Sequence, residues 1–414
     1  MSDRLSRPAP LDLLVHEQPG LTVGALLHLR GARPTLAGLR AHVAERLPLL
    51  PALTTVLRGE GLDARWEHRA PDLRSHVREE HLPADGPTAV RAATRARGQA
   101  PFPENGPRWE LTVYHGHTPD AWALLYRCHH GLQDGGGVAH TVETLFTPRP
   151  PAHEDSSGVI RTLADGRRPS LRHLATAARL MARSTARTDL WPHPLHPHST
   201  RRTLAWADVD TAVLRSAARR HAGTANDAYV ACVGQTFADW SGTHAAHADL
   251  STFPLTVAMN IRAPAQAAAP GNRTLGSRVV LPGPHCPPEQ YLRAAVRATA
   301  ALKSAPHRAA SSTLVTGAPR RVTHHSMRML LAPERGAVFC SHVMYRHALA
   351  WQDRPVVAVD PLVLLPHGAP AAVLLYTYQG RSSALFVTDP ALPAMHTLHD
   401  DWQRHAHDLA RSPR

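Results

Sequence analysis

The stretch His129-His130-Gly131-Leu132-Gln133-Asp134-Gly135, followed by Gly136 and Gly137, decides how this chain is read. Its pattern is HHxxxDG: two adjacent histidines, an acid four residues after the second, and a glycine run. Histidine suits the removal of a proton from an alcohol, amine or thiol near neutral pH, because its ordinary pKa lies close to the working pH. His130 is therefore the candidate base, with His129 beside it. The preceding residues, Trp122 to Cys128, are mostly apolar and follow Thr118-Pro119-Asp120, which is the pattern of a buried strand. Trp109 to Tyr114 supplies its hairpin partner. Beyond the histidines, Asp134 reads as the N-cap of a helix carrying Val138, Val142 and Leu145 at helical spacing. Gly135 and Gly136 would let a substrate approach the backbone closely. A general base on a braced turn between strand and helix makes an enzyme the leading reading.

The chain holds 30 histidines, so a pair alone carries little weight. His324-His325 is followed by Ser-Met-Arg-Met-Leu, without acid or glycine at the matching places, and reads as a structural or solvated pair. The full spacing sets the first pair apart.

Working outward, 414 residues exceed the usual size of a single core, and two domains are expected. The division falls where Pro, His, Ser and Arg accumulate: a first lobe over 1–147, a linker or crossover over 148–205, and a second lobe over 206–414. His193, His196 and His198 lie in that stretch, but the prolines between them and the missing Cys or Asp argue against a metal site. Leu171, Leu174, Ala178 and Met181 form an apolar helical stripe, with Arg172, Arg179, Arg183 and Arg187 on another face. That face could meet phosphates, a carrier protein or a membrane surface, or simply water, and no site residue is assigned there. The Met-Ser-Asp-Arg start has no apolar leader. Leu362 to Tyr378 is broken by Pro366, Gly368 and Pro370, so a cytoplasmic protein is expected. Cys128, Cys232, Cys286 and Cys340 lie far apart and read as free thiols.

The formal charge of +13 comes almost wholly from arginine, with Lys303 the single lysine, and favours anionic ligands. No nucleic-acid-binding signature accompanies it, so nucleic acid is not the expected partner. Phosphates of a thioester carrier, or an acidic carrier protein, suit the heptad better. In the second half, Asn226 or Asp227 could cap a helix over Ala228 to Trp240, Leu255 to Asn260 reads as a strand, and another runs from Gly271-Asn272-Arg273 to Leu281-Pro282. This alternation indicates an α/β class without fixing strand order.

On these residues the chain resembles the wax ester synthase/diacylglycerol acyltransferase family, within the wider CoA-dependent acyltransferase superfamily that includes chloramphenicol acetyltransferase and condensation domains. The resemblance covers nearly the whole chain: Pro10-Leu11-Asp12, Pro107-Arg108-Trp109-Glu110, the heptad, Asn226-Asp227, Asn260-Ile261-Arg262, Gly271-Asn272-Arg273 and Leu281-Pro282. It implies an α/β fold of mixed sheets, in two chloramphenicol-acetyltransferase-like lobes with a channel between them. It also implies that His130 deprotonates an alcohol or amine acceptor, which attacks a thioester directly, while Asp134 braces the loop. Asn272 and Asn226 are then candidate oxyanion donors, and Gly136 and Ser341 candidate substrate contacts. No bound cofactor is implied; acyl-CoA or an acylated carrier protein is the co-substrate, and contact with a lipid surface stays open. One departure bears on substrate: where the family shows Ser-Asn-Val and then Pro-Gly-Pro, this chain has Ser341-His342-Val343-Met344-Tyr345-Arg346. Acyl transfer in specialised metabolism is thus an expectation beside storage-lipid synthesis. A condensation-type enzyme fed by a carrier protein, and an inactive lipid- or metabolite-binding protein, are the alternatives.

Overall fold

Residues 121 to 129 form a strand because the run around Tyr126 is apolar on both faces, and all but the first of its residues are buried. The structure, a computed structural model, describes residues 7–18, 20–103, 106–148, 169–188, 190, 201–244, 251–263, 266–330, 332, 335–364 and 369–411. The histidines considered for metal, 193, 196 and 198, lie outside them. In chain order the strands are β1 (Thr22–Arg30), β2 (Thr55–Arg58), β3 (Arg65–His68), β4 (Val77–His81), β5 (Trp109–Thr118), β6 (Ala121–His129) and β7 (Thr203–Asp210). They continue as β8 (Thr252–Asn260), β9 (Thr274–Pro282), β10 (Val338–Met344), β11 (Ala350–Trp351), β12 (Arg354–Val363), β13 (Ala371–Tyr378) and β14 (Arg381–Thr388). The helices are α1 (Pro10–His16), α2 (Leu36–Arg46), α3 (Leu73–His76), α4 (Gly86–Gln99), α5 (Gly135–Phe146) and α6 (Leu171–Ser184). After these come α7 (Thr211–Arg219), α8 (Ala225–His244), α9 (Pro288–Lys303), α10 (Ala305–Gly317), α11 (Arg320–Leu330) and α12 (Leu398–Arg411).

Two six-stranded sheets carry the fold, in orders β11-β12-β1-β6-β5-β4 and β7-β14-β13-β10-β8-β9, with β2 and β3 paired apart. Both are mixed: β4 runs parallel to β5, and β10 parallel to β13 and β8, among otherwise antiparallel neighbours. This is the expected α/β architecture of two lobes.

The lobes do not follow the division read from composition. β11 and β12, from the C-terminal half, complete the first sheet, with Val23 opposite Val363 and Leu27 opposite Val359. The physical reason lies in β1, which is buried over nearly its whole length and would otherwise present an unpaired edge. β7, opening at Thr203, belongs to the second sheet and begins inside the expected crossover. The sheets also share a core, in which Leu26, Leu125 and Leu362 of the first meet Leu204, Leu374 and Leu385 of the second. The helix after the heptad, α5, is buried from Gly137 to Phe146 on all sides, as a central helix between packed layers must be.

Two helices differ from the sequence reading in detail. In α6, Ala177, Leu180, Met181 and Ser184 turn inward, whereas Leu171 is 85 % exposed and Ala178 is also in solvent. Arg172, Arg179, Arg183 and Arg187 are exposed. α8 begins at Ala225, and the Asp227 carboxylate accepts from the Thr224 backbone N–H at 2.7 Å and its hydroxyl at 2.9 Å, half of a capping box. All four cysteines are free. His324 and His325 lie on α11, the second of them exposed.

Candidate active site

The heptad's backbone is set by the end of β6. His129 lies opposite Thr22 of β1, and the His130 N–H donates to the Leu21 carbonyl at 2.7 Å, which carries the strand pairing one residue further. The chain then turns, with Leu132 N–H donating to the His129 carbonyl at 2.8 Å. The His129 ring closes the turn: its Nδ1 accepts from Gly131 N–H at 3.0 Å, so its proton sits on Nε2 and is donated to the Gln18 carbonyl at 3.0 Å. Burial, with Arg108 and His130 adding to it, pushes the His129 pKa down to about 4. His129 is a neutral structural ring with both nitrogens engaged.

His130 differs. Its backbone is gripped on both sides, by Leu21 through its N–H and by the Asn272 amide, which donates to its carbonyl at 2.8 Å. Its ring Nδ1 is buried and has no hydrogen-bond partner among the described residues. A fixed backbone beneath an uncommitted imidazole is what a proton acceptor requires.

Gln133 and Asp134 build the rest of the turn. The Gln133 amide is fully used: its oxygen accepts from the Tyr126 hydroxyl at 2.5 Å and from the Cys128 thiol, and its nitrogen donates to Thr141 Oγ1 at 2.7 Å and the Gly137 carbonyl at 3.3 Å. Asp134 caps α5 as expected, accepting from Gly137 N–H at 2.9 Å. Its carboxylate also receives Arg262 Nη2 at 2.9 Å, Arg273 N–H at 2.7 Å and the Thr274 hydroxyl at 3.0 Å, all from the second lobe. Burial alone would raise its pKa, but the Arg262 charge and these donors bring it to about 2. Asp134 therefore stays anionic and exchanges no proton near neutral pH.

The second lobe completes the site. Arg262, with a fully buried side chain, spans Asp134 and the carbonyls of Gln266, Ala269 and Gly271. Asn272 lies on the motif, but both its amide protons are spent, one on His130 and the other on Asp12 Oδ1 at 3.1 Å. It thus holds the turn and has no N–H left for a substrate oxyanion. A Cβ on Gly135 would stand 3.0 Å from Val343 of β10, and one on Gly136 3.2 Å from Asn260 Nδ2. These glycines admit side chains of the other lobe. Ser341 shares the Val343 face of β10 and is half-buried, its carbonyl receiving the Tyr229 hydroxyl at 3.3 Å. The neighbouring His342 is held down to about 4 by burial. Asn226 sits in the first turn of α8, and no hydrogen bond among the described residues joins it to the motif.

Two cavities lie near the turn. One of about 760 Å³ is walled by His16, Trp66, Phe102, Arg108, His129 and Leu132. The other, about 230 Å³, is bounded by Leu180, Met181, Met259, Leu275, His307 and Met327, one residue along β8 and β9 from Asn260 and Thr274.

Gln133, Arg262, Arg273 and Asp12 were not singled out as site residues from sequence. A charged or amide group inside an otherwise apolar or glycine-rich motif was the available signal, as it was for Arg127. That arginine is buried in β6, donating to Glu110 at 3.3 Å and to the carbonyls of Ala100 and Pro101.

Comparison with known proteins agrees with this geometry. The model of the wax ester synthase/diacylglycerol acyltransferase catalytic domain matches residues 21–187. Two Mycobacterium tuberculosis proteins named as candidate diacylglycerol O-acyltransferases are 27 % identical over 237 residues, 53 % of this chain and 50 % of theirs. The match thus spans about half the length of those curated relatives. Among solved structures, the starter condensation domain of rhizomide synthetase in complex with C8-CoA superposes with a TM-score of 0.68 at 14 % identity, over 99 % of this chain and 95 % of that one. The wax ester synthase/diacylglycerol acyltransferase from Marinobacter aquaeolei gives 0.62 at 16 % identity, over 98 % of each chain. Trichothecene 15-O-acetyltransferase from Fusarium sporotrichioides gives 0.68 at 12 %, over 98 % and 95 %. The heptad at the seam of two mixed sheets and the catalytic-domain match over residues 21–187 agree: this chain is similar to the wax ester synthase/diacylglycerol acyltransferase family, and its two-lobed fold is the one shared by the acyltransferases and condensation domains it superposes on.

Proposed function

We propose that this protein is an acyltransferase that moves an acyl group from acyl-CoA to a hydroxyl or amine acceptor without a covalent acyl-enzyme. The observation that carries this reading is the His130 turn, whose backbone is clamped by Leu21 and Asn272 while its imidazole Nδ1 has no hydrogen-bond partner among the described residues. His130 takes the acceptor's proton as the acceptor's lone pair attacks the thioester carbonyl carbon. The tetrahedral oxyanion collapses, the carbon–sulfur bond breaks, and the departing thiolate recovers the proton from His130. Asp134 keeps its charge throughout and holds the turn. The two cavities, one on the first lobe's side of the turn and one on the second's, give two reactants room to approach. A CoA donor is supported by the net charge of +13 and by the C8-CoA held in the similar condensation domain. The unusual Ser341 to Arg346 segment favours a specialised acceptor over storage lipid.

A carrier-protein donor is the second reading, favoured by the exposed Arg172, Arg179 and Arg183 of α6. No helix among the described residues is long and apolar enough to cross a membrane.

The test is acceptor-dependent release of CoA thiol from acyl-CoAs of graded length, by wild type and His130→Ala. A positioned base is worth about 10²–10⁴ in rate, and a loss of that order with the fold intact is expected. Near-normal turnover in the variant removes His130 as base. Silence with every acyl-CoA, but turnover with an acylated carrier protein, selects the second reading. Ligand binding without turnover on either donor returns the protein to a binding role.

A further inference from the structure

Asp12 is a fully buried carboxylate in the first, seven-residue helix. It caps its own helix through Ala9 N–H at 2.8 Å, yet most of its capacity is turned to the other lobe. Its Oδ1 accepts the Asn272 backbone N–H at 2.6 Å and the Asn272 side-chain amide at 3.1 Å, while Arg273 Nη1 stands 3.8 Å from Oδ2. The approach is so close that Gly271, with φ +90°, has no room for a side chain: a Cβ there would lie 2.4 Å from Oδ2. Gly271 N–H in turn donates to the Leu132 carbonyl inside the heptad at 2.6 Å.

From this continuous chain of contacts we infer that Asp12 is a positioning residue for the catalytic base: it fixes the Asn272 amide, which holds the His130 carbonyl and so sets the direction of the His130 ring. The geometry leaves Asn272 a single orientation. An amide has two N–H donors, one taken by Asp12, so the other points at His130. Without Asp12 the amide can turn about its side-chain bonds and the His130 carbonyl loses its donor, so the peptide after His130, held then only by Gly131 N–H on His129 Nδ1, can tilt. A base displaced by a fraction of an ångström loses rate without losing the substrate's binding contacts. The effect is confined to the chemical step.

The inference rests on the acyltransferase reading for its kinetic arm, so the experiment has a second arm independent of turnover. Asp12→Ala, Asn272→Ala and the double variant are assayed in the full chain, with Asp12→Asn as the conservative change. Each single variant is expected to lower kcat by about 10–100-fold with the donor KM within about twofold, and the double variant to be no slower than the worse single one, because both break the same link. Asp12→Asn, which keeps one acceptor oxygen, should recover part of the rate, and it carries the test if the alanine variant does not fold. In the second arm, the His130 ring carbon–proton NMR signal, identified by its loss in His130→Gln, should shift or split in Asp12→Asn. Losses that multiply in the double variant, or a His130 signal unchanged in Asp12→Asn, would overturn the proposal. If the wild type turns over no donor, the acyltransferase reading fails while the His130 signal still decides the link.

Discussion

At the scale of single residues, the site is a set of groups that hold one another while the Nδ1 of one ring, His130, has no hydrogen-bond partner among the described residues. Arg262 ties several of them together, since its guanidinium is shared between a buried carboxylate and three backbone carbonyls. Replacing one member of a buried ion pair typically costs about 3–5 kcal/mol, because it strands the other charge. Asp134 would keep Gly137, Arg273 and Thr274 as donors. Arg262→Met is therefore expected to lose about 3 kcal/mol, at the low end of that range. Urea unfolding measures it, and a loss below about 1 kcal/mol would mean that the pair does not fasten the seam. The histidine pair shows a division of labour between neighbours: His129 spends both nitrogens on the turn, and His130, among the described residues, is held by its backbone.

At the scale of elements, Asp227 is a junction between helices. Asp227 at the start of α8 accepts from Thr299 and Lys303 of α9 as well as from Thr224. The only lysine in the chain thus serves a helix contact. Its side chain is 38 % exposed, so solvent weakens the pair. Lys303→Met should cost about 1–2 kcal/mol, with kcat within about twofold of wild type. Thermal unfolding and turnover measured on one preparation decide this, and a large fall in kcat at unchanged stability would reassign the junction to the chemistry. Helix α5 and strand β6 show the same logic: each is buried on every side because the heptad between them must sit where the two sheets meet.

At the scale of the whole molecule, charge couples the lobes to pH. Asp360, buried between His28, Arg381 and Ser383, ties β12 to β1 and β14, and its partners hold its pKa far below the carboxylate range. Burial holds His129 and His342 near 4 and, with Arg108 and His129 adding to it, His16 near 3. Because these folded values lie below the ordinary 6.5, the unfolded chain binds more protons than the fold between about pH 4 and 6.5. The stability they represent is complete above the ordinary value and is lost as pH falls. By about pH 5, His129 alone accounts for roughly 2 kcal/mol. Melting temperature should therefore drop between about pH 7 and pH 5, before the carboxylates begin to protonate. Asp134, folded pKa about 2, adds its own loss only as pH falls below the ordinary 3.8. A melting temperature flat over the first interval would contradict the burial of these rings.

Much of this was legible in the sequence because it is local. The period of apolar residues gave β5, β6 and α5 to within a few positions, and the acid before three glycines gave the cap, since strand, turn and helix signals act over neighbouring residues. The heptad marked His130 as the candidate base for the same reason. Strand order was not legible: that β12 should cross to fill the open edge of β1 depends on a pairing between segments far apart in the chain. Nor was the use of Asp12, Arg262 and Asn272 around one turn, because hydrogen-bond partners are set by three-dimensional proximity, on which spacing is silent. By itself the sequence determined the chemistry offered by the turn; only the tertiary structure decided which residues of the second lobe hold that turn still, since each buried donor and acceptor had to find its partner across the seam.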